Sequence, residues 1–149
     1  MAPEAEALLL SASRAELVDK ILERGLADGR LVVCDRFWDA TLAYQGFGRG
    51  LPVETLLTIT MFAARRLQPD LTFLLDVAPS VSRERLKSRT AIPDRMERES
   101  SSFHERVADG YRRLAAAEPH RFVTIDGTRA EEEIAIEVRQ TVLSRWQAR

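Results

Sequence analysis

Leu71-Thr72-Phe73-Leu74-Leu75-Asp76-Val77 decides the fold. It is a short, uninterrupted run of β-favouring residues, opened by Pro69-Asp70 and closed near an aspartate. A half-exposed strand alternates apolar with polar, whereas this run reads as a strand of a parallel sheet buried on both faces. Two other stretches read the same way. Leu31-Val32-Val33-Cys34 runs into Asp35, and Phe122-Val123-Thr124-Ile125 runs into Asp126-Gly127. Between and around them the spacing predicts helices. One extends from about Pro3 to Arg24, with Leu10, Leu17 and Ile21 on a stripe and Pro3 suited to a first turn. Others cover Glu54 to Leu67, a charged stretch opening at Pro79, Glu97 to Ala117 with Phe103, Val107, Tyr111 and Leu114 in line, and Glu131 to Trp146. Helix alternating with buried strand predicts an α/β domain with a parallel sheet, and 149 residues suit one domain, 1–149.

Composition narrows the function. Lys and Arg number 22 against 23 Asp and Glu, a net charge of −1, without the basic excess of a dedicated nucleic-acid binder. No apolar run approaches a membrane span, the first residues lack the basic charge of a signal peptide, and the cytoplasm is the expected compartment. One cysteine and two distant histidines argue against a disulfide framework and against a metal cage.

Ligands of open α/β sheets bind beyond the carboxyl ends of the strands. There Asp35-Arg36 sets a carboxylate beside a bidentate anion clamp, although both residues also suit simple pairing with neighbours. Tyr44-Gln45-Gly46-Phe47-Gly48-Arg49-Gly50 offers an amide able to read a ring edge, or else an ordinary surface loop. Arg14 on the first helix needs a partner, a wet cleft or a path to solvent. The arginines between 83 and 98 read either as a lid closing on phosphates or as a solvated, ion-paired helix face.

The order of these pieces, D-R-F-x-x-x-T-L-A-Y-Q-G-x-G-R-G above all, resembles bacterial thymidylate kinase from about Glu4 to Trp146. The resemblance implies the three-layer fold of the nucleoside-monophosphate kinases, a P-loop NTPase fold, and phosphorylation of dTMP to dTDP by ATP with Mg²⁺. It implies that Arg36 holds the dTMP phosphate and that Asp35 serves the Mg²⁺–water network without ligating the metal directly. Arg14 and Gln45 would meet the thymine edge, Thr41 would lie near the base, Tyr44 would line the deoxyribose, and Arg89 and Arg95 would reach the transferring phosphoryl. A homodimer is also implied, with the Glu54–Leu67 helix a candidate face. Leu10 stands where the family usually has a stacking Phe, and Ala40 where it has Ser. No G-x-x-x-x-G-K-[ST] phosphate loop occurs in the chain, so the resemblance implies that the first strand and its loop are missing and that the chain alone turns over ATP poorly. The alternatives are another nucleotide kinase of this fold and a non-catalytic nucleotide-binding remnant.

Overall fold

A computed structural model describes residues 1–87 and 95–147. Helix α1 (Pro3–Leu17) starts with proline in its first turn and two acids, Glu4 and Glu6, near its positive end. It continues through a π-helical stretch, Val18–Leu22, into α2 (Glu23–Ala27). Gly29, at φ 71°, turns the chain out of it. After an extended segment come α3 (Trp38–Thr41), a second π-helical stretch (Leu42–Gly48) and α4 (Val53–Ala63). Then follow β1 (Thr72–Asp76), α5 (Pro79–Lys87), α6 (Ser101–Ala117), β2 (Phe122–Asp126) and α7 (Glu131–Gln147). The Ser100 side chain caps α6 by accepting from the Phe103 amide at 3.2 Å.

β1 and β2 pair in parallel, Thr72 opposite Phe122 and Asp76 opposite Asp126. Both strands fall where the buried runs predict them, and α6 packs against both. Leu75, however, is exposed, so the sheet is not covered on both faces.

The expected strand at Leu31–Cys34 does not form. The segment is extended, but Leu31, Val33 and Cys34 are exposed, Val33 at 83%. Its composition suits a sheet, but a strand exists only by pairing its backbone groups, and among the described residues only β1 and β2 form a sheet.

The core lies among the helices. Ala7, Trp38, Leu42, Leu56 and Ala64 form one cluster, and Ala43, Phe103 and Val107 another. The glycine-rich stretch that reads as a possible loop is helical and largely buried instead, because it lies against α6. Close approach explains two of the glycines. A Cβ at Gly48 would stand 2.7 Å from the Phe103 ring, and one at Gly110 would stand 2.6 Å from Phe47. Each ring takes the place of a missing side chain on the opposite element.

One buried ion pair ties the helices to the sheet. Arg121, just before β2, grips Asp39 of α3 through two hydrogen bonds of 2.6 and 2.9 Å. It also donates to Glu118 at 2.6 Å and to Thr72 at 2.9 Å. Its guanidinium lies over the rings of Trp38 and Phe122, 4.7 and 4.4 Å from their centroids. Burial alone would lower the arginine's proton affinity; the hydrogen bonds to Asp39 and Glu118 more than reverse that.

Candidate functional site

α1, α3 and the second π-helical stretch enclose a pocket of about 300 Å³. Arg14, Arg36, Thr41, Tyr44, Gln45 and Arg95 all line it. Six residues singled out in sequences as far apart as positions 14 and 95 therefore converge on one cavity. Arg89 lies outside the described residues. Asp35 is exposed and immediately precedes Arg36 in the chain.

The polar groups of the pocket fall into two kinds. Some are satisfied within the protein. Arg14 Nη2 donates to Thr41 Oγ1 at 2.9 Å and to the Phe37 carbonyl at 3.3 Å. Gln45 Nε2 donates to Glu6 Oε1 at 2.6 Å. Others are buried with no hydrogen-bond partner among the described residues, namely Arg14 Nη1, a donor, and Gln45 Oε1, an acceptor. A buried polar atom left unpaired costs free energy, and each such case in a native structure asks for an explanation. Burial accordingly pulls the Arg14 guanidinium below its ordinary value, partly offset by the charge of Asp39.

Arg36 is exposed, at φ 63°, a left-handed backbone that non-glycine residues adopt at a cost. Its guanidinium lies 5.3 Å from the centre of the Tyr44 ring and has no carboxylate partner among the described residues. A strained, exposed, unneutralised cation at the rim of a pocket suits an anion. Tyr44 is in turn set edge-on to Tyr111, ring centres 6.2 Å apart, and burial pushes the Tyr111 hydroxyl upward.

Glu6 is the residue that sequence reasoning missed. Two acids in a first helical turn read as complements to the helix dipole, yet Glu6 is only 3% exposed. Besides Gln45 it receives Arg49 Nη2 at 3.3 Å and Arg95 Nη2 at 2.5 Å, both at Oε2. Burial pushes its carboxyl upward, but the hydrogen bonds from Gln45, Arg95 and Arg49 outweigh this and hold it below the usual carboxylate range. Arg49 is also anchored on Glu99 at 2.7 Å.

The two remaining strand-end aspartates have structural partners. Asp76 receives both Arg112 Nε and Nη2, at 3.0 and 2.9 Å, and Asp126 turns back onto Thr128. Arg83 donates to Ser101 and Arg85 to the Gly127 carbonyl, so these two arginines brace α5. A larger, shallower groove of about 650 Å³ runs along α4 past Leu57, Phe62 and Arg66. It is away from the converging polar groups, and Arg65 at its edge is engaged by Asp19 and Glu23. Among the described residues no cluster of His, Cys, Asp or Glu forms a metal cage, and no helix is long and apolar enough to cross a membrane.

Helices packed on a parallel pair of strands, with a polar pocket among the helices, make this an α/β domain with a candidate ligand site. The family model for thymidylate kinase matches residues 1–138. The chain is 42% identical to a thymidylate kinase of Dehalococcoides mccartyi over 95% of its own length and 68% of the relative's. It is 44% identical to one from Geobacter sulfurreducens, over 97% and 70%, and 46% identical to one from Deinococcus radiodurans, over 96% and 69%. The chain belongs to the thymidylate kinase family.

Proposed function

We propose that the pocket binds dTMP as the acceptor for a phosphoryl group from ATP, giving dTDP. The observation that carries this reading is the pair of buried, unpartnered atoms, Gln45 Oε1 and Arg14 Nη1. A thymine edge presents an N–H beside a carbonyl oxygen, one donor for the glutamine oxygen and one acceptor for the guanidinium. Cytosine and adenine present the inverse. Guanine shares the thymine pattern, and a second ring in a cavity of about 300 Å³ is what works against it.

In this reading Arg36 takes the nucleotide phosphate as a charge-assisted pair, and Tyr44 beneath it lines the sugar. Thr41, already bonded to Arg14, keeps that guanidinium facing the base. Phosphoryl transfer forms a bond from a dTMP phosphate oxygen to the γ-phosphorus and breaks that phosphorus from ADP, so the protein's task is positioning and neutralising charge. Arg95, held here on Glu6, and Arg89 are the proposed cations for the transferring group. Mg²⁺ would neutralise charge on the ATP phosphates. It typically keeps several waters and needs only one or two carboxylates, which suits the lone Asp35 beside Arg36 acting through water. A second copy of the chain against the exposed Leu57 and Phe62 of α4 completes the proposal.

Competition binding tests it. dTMP should bind tightest and dUMP close behind, with dCMP weaker by about tenfold or more, because a site built to hydrogen-bond one edge penalises a ligand that leaves its groups unpaired, and dGMP, which matches that edge, should be weaker only through the second ring it must fit into the same pocket. A purine monophosphate binding tightest would overturn the reading.

A further inference from the structure

Gln45 carries one donor end and one acceptor end, and rotating its amide by half a turn exchanges them. A pocket that reads a base with this amide must therefore control which end it shows. In this protein the control lies on another helix. Gln45 Nε2 stands 2.6 Å from Glu6 Oε1, and a carboxylate oxygen accepts only. The oxygen end of the amide has no place there. Glu6 in turn is held in place by Arg49, which donates to both of its oxygens and is itself anchored on Glu99, with Arg95 adding a further contact at Oε2. Both Glu6 and Gln45 are buried, at 3% and 1% exposure, so water does not compete for either.

We propose that Glu6 is a specificity-determining positioning residue: by occupying Nε2 it leaves Gln45 Oε1 as the acceptor that the pocket offers to a ring N–H. This rests on the reading of the pocket as a thymine site. Glu6 touches no part of the nucleotide in this scheme; it acts through Gln45. The chemical class selected is a pyrimidine with a protonated ring nitrogen, as in thymine or uracil, over one with a lone pair there, as in cytosine.

Glu6→Gln makes the test sharp because it changes almost nothing in shape. The closer arginine donors meet Oε2, Arg95 Nη2 at 2.5 Å and Arg49 Nη2 at 3.3 Å, while Arg49 Nε reaches Oε1 only at 3.5 Å, so the new amide gives its oxygen to the closer donors and turns its NH₂ toward Gln45. Two NH₂ groups cannot face one another. Gln45 then rotates, its oxygen accepts from the new amide, and its NH₂ becomes the group shown to the ligand. Calorimetric titration of parent and variant with dTMP and with 5-methyl-dCMP reads the outcome. The two ligands match in size and in the 5-methyl group and differ in the base edge. We expect dTMP to lose about tenfold to a hundredfold in affinity, the scale of leaving one buried polar group unpaired. 5-Methyl-dCMP should lose far less or gain, so the dTMP preference falls by about tenfold or more. Equal losses for both ligands, or none for either, would overturn the proposal.

A second measurement needs no nucleotide. The Gln45 side-chain amide protons, followed by NMR in the unliganded protein, should exchange slowly in the parent and at least about tenfold faster in Glu6→Gln, once Nε2 leaves its carboxylate partner. Unchanged protection would overturn the proposal. The two arms separate the two readings. A parent that prefers a purine monophosphate contradicts the thymine site, whereas the amide exchange reports on Glu6 alone.

Discussion

Asp39→Ala should lower the stability of the protein by about 3–5 kcal/mol, the usual effect of removing one partner from a buried ion pair. Arg121 is 2% exposed and would keep its charge with Asp39 gone. Glu118 and Thr72 remain as partners, but the two bonds to Asp39 are the ones that cross from α3 to the strand region. For a chain of this size such a loss corresponds to a fall in Tm of roughly 6–20 °C. Urea unfolding followed by circular dichroism measures it directly. A loss below about 1 kcal/mol would mean that Glu118 and the two flanking rings suffice to hold the guanidinium.

The second large effect concerns binding rather than stability. Arg36→Ala should weaken dTMP by about 1.5–3 kcal/mol, the range for hydrogen bonds to charged groups, which is roughly tenfold to 150-fold in Kd. Thymidine, which has no phosphate, should bind parent and variant alike. Arg36→Gly refines the test, because glycine takes φ 63° without strain and so should fold as stably as the parent while losing the same phosphate affinity. Equal weakening of dTMP and thymidine in both variants would place the phosphate elsewhere.

β1 and β2 were legible in the sequence because each concentrates apolar residues within five positions, a local signal that survives whatever the rest of the chain does. Leu31–Cys34 carries the same local signal and fails, since strand propensity reports what a segment suits and not whether a neighbour exists to pair with it. The grouping of the candidate site residues was legible to a similar degree. Arg14, Arg36, Thr41, Tyr44 and Gln45 stand at positions that a recognisable pattern marks, and the fold brings them to one pocket. Glu6 and Asp39 were not legible. Glu6 meets Gln45 across 39 positions, and Asp39 meets Arg121 across 82. Nothing near either acid distinguishes it from a solvated one; only the tertiary contact does. The glycines of the second π-helical stretch misled for a related reason. Gly48 suggests a loop by its flexibility, while its actual use is the room it leaves for Phe103.

Where dTMP sits decides whether this pocket is the acceptor site. A crystal structure of the protein soaked with dTMP measures this most directly. The thymine ring nitrogen should lie within hydrogen-bond distance of Gln45 Oε1, the neighbouring carbonyl oxygen on Arg14 Nη1, and the phosphate on the Arg36 guanidinium. Nucleotide bound in the α4 groove, or in this pocket with its phosphate away from Arg36 and its ring away from Gln45, would contradict it.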